Sequence, residues 1–183
     1  MKNIAFLVSA NKTIVFEKVA KKLENDGCCS YWVTPSQCWY EWLLDQGITQ
    51  EKILNLPNKV GALNKSKLSD NEIERISYIE SAANVSFSDL YLMDRVLREK
   101  DYHYAFRYML ICFDEISSFV KDNQIGNVFS EQTWNFELIT SIACSIIGAK
   151  SYYVNTVKVP DGEGVGRFCF FSSYLMNKLP KDR

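Results

Sequence analysis

The sequence has no long hydrophobic run, a single histidine and almost no net charge, and each of these absences excludes a class of protein. No run approaches the roughly 18 apolar residues that a membrane-spanning helix needs, and the apolar start is too short for a signal peptide. The formal net charge is −1 at pH 7, so no basic excess points to nucleic acid as a partner. With His103 as the only histidine, a histidine-rich zinc site is excluded, and we predict no metal site.

Paired cysteine motifs are also absent. The chain has 6 cysteines, and none of them forms a CxxC pair. Cys112 and Cys144 lie within apolar helical patterns, which indicates reduced and mostly buried thiols and not a disulfide framework. Together with the lack of an integral membrane segment, this predicts a cytoplasmic protein, for which peripheral attachment to a membrane is left open.

The glycine-rich loops that bind nucleotides are missing from the first strand–helix junction. The loop SANKT (9–13) has no GxGxxG pattern, and glycine is what lets a backbone approach a pyrophosphate closely. The chain contains no GxxxxGK[ST] pattern either, which excludes a P-loop NTPase. The segment GEGVGR (162–167) precedes the apolar FCFF and not a clear helix, so it favours a hairpin over a phosphate-binding loop. We therefore predict that the chain uses no cofactor.

The sequence does contain a regular alternation of short apolar runs and longer helical patterns. Runs of strand length occupy 3–9, 28–34, 52–57, 125–131 and 150–160. Because these runs are continuously apolar and are separated by segments of helix length, they predict a parallel sheet that is covered on both faces. We predict one domain over residues 1–183, with an α/β, doubly wound, mostly parallel Rossmann-like sheet of strand order 3-2-1-4-5. The helical patterns from about 70 to 123 form an insertion, in which 86–101 is predicted as one helix.

Ligands of such sheets bind beyond the carboxyl ends of the strands, where the strand order reverses. In the order 3-2-1-4-5 this switch point lies between the first and fourth strands. The loops SANKT (9–13) and SEQTW (130–134) therefore face each other across the predicted crevice.

Glu131 is the main candidate in this crevice. It could act as a general base or bind a sugar hydroxyl, or it could simply favour the positive end of the following helix, which Ser130 or Thr133 would cap. Trp134 could stack on a sugar ring or belong to the core, whereas Glu137 is predicted to be structural.

We select Glu131 as the candidate catalytic residue. The candidate substrate-binding residues are Ser9, Asn11, Lys12, Ser130, Gln132, Trp134 and Arg167. Asn11 and Lys12 stand at a helix N-terminus, where they could contact a polar or anionic ligand or form a solvated turn.

The segment VFSEQTWNFELITSIACSIIGAKSYYVNTVKVP, followed by an arginine and FCFF, resembles a known family. It is similar to the end of the N-terminal half of bacterial capsule and surface-polysaccharide biosynthesis proteins, which are glycosyltransferases of the two-domain GT-B type. These proteins often have a strand that ends in a Ser-Glu-like pair, a helix with a second glutamate, and an arginine before aromatic residues. Here these residues are Ser130, Glu131, Glu137 and Arg167.

The resemblance implies a division of labour between two domains. The N-terminal half of a GT-B enzyme binds the saccharide acceptor, whereas the C-terminal half holds most of the nucleotide-sugar donor. This chain would then be a fragment, a separate subunit or a truncated form, with little transferase activity alone. Two alternatives stay open: a stand-alone Rossmann-like binding or interaction module without catalysis, and a small hydrolase or an enzyme similar to nucleotide-sugar epimerases.

Overall fold

The computed structural model describes residues 2–61, 63, 66–131, 133–158 and 166–172, with 154–158 and 166–172 described in their backbone alone. Its strands are β1 (Lys2–Leu7), β2 (Cys28–Thr34), β3 (Ile53–Asn55), β4 (Asn127–Ser130), β5 (Lys150–Lys158) and β6 (Gly166–Ser172). Its α-helices are α1 (Lys12–Asn25), α2 (Gln37–Asp45), α3 (Leu56–Val60), α4 (Asp70–Ala83), α5 (Phe87–Met93), α6 (Tyr102–Asp122) and α7 (Asn135–Ile147).

The described strands form one sheet in the order β3-β2-β1-β4-β5-β6. The first five strands of this order are parallel, which confirms the predicted order 3-2-1-4-5 and the Rossmann-like fold. Strand β6 pairs antiparallel with β5 and adds an edge to the sheet. Phe6 of β1 lies beside Trp32 of β2 and Phe129 of β4, at ring-centroid distances of 5.2 and 5.6 Å. These aromatic contacts hold together the central strands that flank the switch point.

Helices cover both faces of the sheet, as the continuous apolar strands predict. The larger hydrophobic core contains residues of α4, α5, α6 and α7, packed against the strands. The smaller core lies on the opposite face and contains residues of α1 and α2 together with Phe6 and Trp32. The insertion between β3 and β4 therefore packs on the same face as α7 and brings its residues close to the switch point.

The segment predicted as one helix over 86–101 is instead two short elements. Helix α5 ends at Met93, and a 3₁₀ helix follows at Leu97–Glu99. The break is at Asp94, whose carboxylate oxygen Oδ1 accepts hydrogen bonds from the N–H groups of Val96 and Leu97 at 2.8 and 2.9 Å. This local bonding competes with helix continuation, which is typical of aspartate in turns.

Capping of α7 by Ser130 or Thr133, which is one of the interpretations left open for this junction, is also wrong. The residue before the helix is Trp134, whose side chain makes no capping hydrogen bond. Ser130 instead ends β4 and is buried. The helix does end at Gly148, as predicted, with the left-handed backbone (φ 81°) that glycine favours.

No helix in the described part of the chain has both the length and the apolar character needed to cross a membrane.

Candidate active site

The loops after β1 and β4 meet at the switch point, as the strand order requires. Beside them is a crevice with a volume of about 320 Å³. Its lining residues are Ser9, Pro35, Asp94, Val96, Leu97, Lys100, Tyr104, Tyr108, Trp134, Asn135 and Phe136. One wall thus comes from the sheet and the start of α7, and the facing wall comes from the helical insertion.

Glu137 is a buried carboxylate beneath this crevice. Its side chain turns back to the start of its own helix, where Oε2 accepts hydrogen bonds from the N–H of Thr133 and from the N–H of Trp134, the latter at 3.0 Å. The other oxygen, Oε1, accepts a hydrogen bond of 3.4 Å from the hydroxyl of Ser9, on the loop after β1. Glu137 therefore pairs two N–H groups just before α7 and joins the two loops of the switch point.

The pKa of Glu137 is raised from its usual 4.5 to about 7, mainly by burial and with a smaller contribution from the charge of Glu131. The hydrogen bonds from Thr133, Trp134 and Ser9 favour the ionised form and lower the pKa, but they do not outweigh burial. The residue is only 1% exposed. Glu137 can therefore gain or lose a proton near neutral pH, although a substrate cannot reach it directly.

Glu131 and Lys12 form an ion pair across the switch point. The side chain of Glu131 is 18% exposed and that of Lys12 is 38% exposed, so solvent and ligand have access to both. Lys12 is the first residue of α1, and the preceding Asn11 makes no capping hydrogen bond with its side chain. From this position the side chain of Lys12 reaches the loop after β4 and balances the charge of Glu131.

The insertion supports the start of α7 through Asp94, which is buried. Its Oδ2 accepts a hydrogen bond of 2.8 Å from the N–H of Asn135, an orphan donor of the first helical turn. The side-chain Nδ2 of Asn135 in turn donates to the carbonyl oxygen of Leu90 at 2.8 Å. These two bonds fix the insertion wall of the crevice relative to the sheet wall.

Trp134 lies between the two walls and carries a cation–π contact. The guanidinium carbon of Arg95 is 4.7 Å from the centroid of the Trp134 ring, a distance at which the attraction is significant. Trp134 is half-buried and lines the crevice. Both suggestions made for this residue are thus compatible with its position, because it packs on the protein and also faces the cavity.

The structure brings together only part of the predicted substrate-binding set. Ser9 and Trp134 line the crevice. Its lining residues do not include Asn11, Lys12, the buried Ser130 or the candidate catalytic residue Glu131. Gln132 lies outside the described residues. Arg167 is described in its backbone alone, opposite Val157 of β5. Their roles in binding stay predictions.

Sequence reasoning missed two residues of this site, Asp94 and Asn135, and it did not predict the buried environment of Glu137. A glutamate three residues after a helix start is a known capping signal, but the signature expects a serine or threonine at the start, and here Trp134 stands there. The contact from Asp94 to Asn135 joins residues 41 positions apart, and no local pattern indicates it.

The described residues contain no group of three or more histidine, cysteine, aspartate or glutamate side chains that could hold a metal ion.

Comparison with known proteins adds evidence on the fold. No protein-family model matches the sequence, and no curated protein matches it. Among solved structures, the chain is similar to MurG of Acinetobacter baumannii, with a TM-score of 0.51 and 13% sequence identity over 84% of this chain. The fold is GT-B-like. The match covers 34% of the MurG chain, so this chain spans about a third of the length of that protein. At this level of identity the likeness shows the fold alone.

Proposed function

We propose that this chain is the acceptor-side domain of a glycosyltransferase in capsule or surface polysaccharide biosynthesis. In this proposal the saccharide acceptor binds in the crevice at the switch point, and a second domain holds most of the nucleotide-sugar donor. The observation that supports it is the hydrogen bond from Ser9, which lines the crevice, to the buried Glu137, with the charge of Glu131 close enough to act on Glu137, in a GT-B-like fold. Glu131 itself lies on the loop after β4 and is not among the lining residues of the crevice.

Glu131 is the proposed general base. Sugar transfer requires a hydroxyl of the acceptor to lose its proton as its oxygen attacks the anomeric carbon of the donor, while the bond from that carbon to the diphosphate breaks. A partly exposed carboxylate on the loop after β4 is suited to take this proton. Lys12 stabilises the charge of Glu131, and Glu137 positions the loop through its hydrogen bonds to Thr133 and Trp134.

The crevice suits a saccharide in size and in lining. Its volume of about 320 Å³ lies at the lower end of the range for small-molecule sites. The rings of Tyr104, Tyr108 and Trp134 line it, and aromatic rings pack well against the apolar faces of sugars. Ser9 adds a hydroxyl, and Lys100 adds a cation on the facing wall.

The role of Glu131 is tested by Glu131→Gln, made in the full native transferase. We expect transfer to fall by at least about 100-fold, because a general base contributes roughly that much or more. Circular dichroism and acceptor binding should stay close to those of the unmodified protein. Glu74→Gln on the exposed surface of α4 is the matched control and should transfer normally. Near-normal transfer by folded Glu131→Gln would exclude Glu131 as the base.

A stand-alone binding module without catalysis is the second candidate. It is favoured by the fact that both carboxylates already have protein partners: Glu131 pairs with Lys12, and Glu137 bonds the start of α7. The two candidates differ in their response to a donor. Both candidates predict that Glu131→Gln binds saccharides normally, but for the binding module no nucleotide-sugar supplied with any partner domain would give transfer, even with the unmodified chain.

A further inference from the structure

The carboxyl group of Glu137 uses its two oxygens differently. Oε2 accepts hydrogen bonds from the N–H groups of Thr133 and Trp134, whereas Oε1 accepts one from the hydroxyl of Ser9 at 3.4 Å. When Glu137 binds a proton, Oε2 is a poor place for it, because an O–H there would point at two N–H donors. The proton therefore belongs on Oε1, the oxygen that faces Ser9.

Ser9 connects this buried carboxyl group to the crevice. Glu137 is only 1% exposed, so a ligand does not touch it, but Ser9 is partly exposed and lines the crevice. A serine hydroxyl has one proton to donate and lone pairs that accept. The hydrogen bond that Ser9 makes with Glu137 therefore decides which of these is left for a ligand.

The two protonation states of Glu137 leave opposite ends of the Ser9 hydroxyl free. Ionised Glu137 accepts the Ser9 proton on Oε1, so the Ser9 oxygen presents lone pairs to the crevice. Neutral Glu137 has a buried O–H on Oε1 that needs an acceptor, and the Ser9 oxygen is in contact with it. The Ser9 proton then turns away from Glu137 and towards the crevice.

We propose that Glu137 is a positioning residue that turns the Ser9 hydroxyl, so that the crevice accepts a hydrogen bond from its ligand when Glu137 is ionised and donates one when Glu137 is neutral. This inference goes beyond the proposed function, because it applies to any small uncharged ligand of the crevice and not to saccharides alone. It adds a rule of specificity: ligand groups that donate are favoured in one state, and groups that only accept are favoured in the other.

The change between the two states falls close to neutral pH. The pKa of Glu137 is raised to about 7, mainly by burial and with a smaller contribution from Glu131, which is itself paired with Lys12 of α1. On the facing wall of the crevice are the cation of Lys100 and the hydroxyl of Tyr108. Burial raises the pKa of Tyr108, so this hydroxyl stays neutral while Glu137 titrates.

Two charged groups of the insertion also approach the start of α7. The carboxylate of Asp94 accepts a hydrogen bond of 2.8 Å from the N–H of Asn135. The guanidinium carbon of Arg95 is 4.7 Å from the ring centroid of Trp134. Both groups are therefore engaged with the residues that precede Glu137 on the chain, and not with the Ser9 hydroxyl.

The test uses two uncharged bicyclic probes of similar size, titrated by NMR into the whole chain at about pH 5.5 and about pH 8.5. Indole has an N–H that only donates, and 1-indanone has a carbonyl oxygen that only accepts. We expect indole to bind about fivefold more tightly at the higher pH, and 1-indanone about fivefold more tightly at the lower pH, the difference typical of one hydrogen bond. A purely structural role of Glu137 would not give changes of opposite sign.

Variants identify the residues that are responsible. In Glu137→Gln the amide oxygen can accept the two N–H groups while the amide nitrogen donates to Ser9, which keeps the Ser9 proton in the crevice at every pH. This variant should bind 1-indanone equally well at both pH values. Ser9→Ala should remove the pH dependence for both probes, and Ser9→Thr, which keeps the hydroxyl, should retain it.

His103→Gln is the matched control, because histidines ordinarily titrate in the same range of pH. His103 is the single histidine of the sequence, lies in the first turn of α6 and is not among the lining residues of the crevice. The control should keep the opposite pH dependence of the two probes. If that dependence disappears in His103→Gln, the titrating group is not Glu137 and the proposal is refuted.

The remaining outcomes are equally decisive. Changes of the same sign for both probes, no change with pH, or opposite changes that persist in Ser9→Ala would overturn the role of Ser9 and Glu137. So would the absence of binding by both probes, since the rule covers any small uncharged ligand. If Glu137→Gln does not fold, Ser9→Ala and Ser9→Thr still decide. The proposed function fails separately, by normal sugar transfer in Glu131→Gln, because the probes are not saccharides and need no donor.

Discussion

Glu137 should make the stability of this protein depend on pH in an unusual direction. Its pKa is raised in the folded protein from 4.5 to about 7, mainly by burial. Between these values the folded protein holds a proton that the unfolded chain has released, so stability falls as the pH rises. The contribution of neutral Glu137 is fully present below pH 4.5 and is lost as the pH rises through 7. Most buried or paired carboxylates with lowered pKa values act in the opposite sense.

The perturbation that reveals this is Glu137→Gln, which resembles the neutral glutamic acid in shape but does not titrate. Two and a half units of pKa shift correspond to about 3 kcal/mol in total, of which about 2.5 kcal/mol falls between pH 5 and pH 8. The unmodified protein should therefore lose about 2.5 kcal/mol of unfolding free energy relative to Glu137→Gln over this interval. At pH 5 the two proteins should differ least in their charge at this position, so pH 5 is the reference condition.

The assay is urea denaturation followed by tryptophan fluorescence at several pH values, with the difference between the two proteins taken at each pH. Taking this difference cancels the titration of every group that Glu137→Gln leaves unchanged. Glu131→Gln removes a charge that raises the pKa of Glu137. In that background the folded-state pKa of Glu137 should be lower, so the loss of stability should be complete at a lower pH and should be smaller overall. A difference between the two proteins that stays constant from pH 5 to pH 8 would refute the raised pKa.

Three further predictions concern the support of the site, the ion pair between Glu72 of α4 and Arg107 of α6, and the thiols. Asp94→Ala should lower the unfolding free energy by about 3 kcal/mol, because three backbone N–H groups, including that of Asn135, lose their acceptor; a loss below about 1 kcal/mol in urea denaturation would contradict this. Glu72→Gln should lower the unfolding free energy by about 1 kcal/mol at pH 7, a value discounted for solvent exposure. The reason is that the hydrogen bonds from Arg107 lower the pKa of Glu72 to about 2. This stabilisation is present above pH 4.5 and should disappear as the pH falls through 2. Cys38 is exposed and should react with a thiol reagent in the native protein. Cys112 of α6 and Cys144 of α7 are buried, and burial raises their pKa values to about 12, so they should react only after denaturation. Mass spectrometry of the labelled peptides would show the difference.

The sheet could be predicted from the sequence because its signals are local and repeated. Each strand of the parallel part is an apolar run, and each of the helices α1, α2 and α7 is followed by a glycine that takes a left-handed backbone, at Gly27, Gly47 and Gly148. Once the strands and connecting helices are recognised, right-handed crossovers leave few possible strand orders. The position of the crevice then follows from the order alone.

The chemistry within the crevice could not be predicted in the same way, because it depends on contacts between distant segments. The sequence alone ranked Glu131 above Glu137, since Glu131 lies nearer the end of β4. The burial that raises the pKa of Glu137 is a property of the packed protein, and so is the contact with Ser9, which lies 128 positions away. The role of Asp94 could not be predicted either, because it depends on a contact with the distant Asn135. The spacing of the segment around Asp94 instead predicted an uninterrupted helix.

The charge balance at the switch point favours the acceptor over the donor as the ligand of this crevice. A nucleotide-sugar donor carries a diphosphate, which needs cations or free backbone N–H groups at close range. Lys12 already pairs with Glu131, and the negative charge on Glu137 grows as the pH rises through about 7. Lys100 on the facing wall and Arg95 over the Trp134 ring add two positive charges, which do not balance a diphosphate beside the carboxylates of Glu131, Glu137 and Asp94. An uncharged acceptor hydroxyl meets no such repulsion and can lose its proton to a carboxylate. The assignment of the acceptor to this chain therefore has support from its own charges, apart from the likeness in fold to MurG.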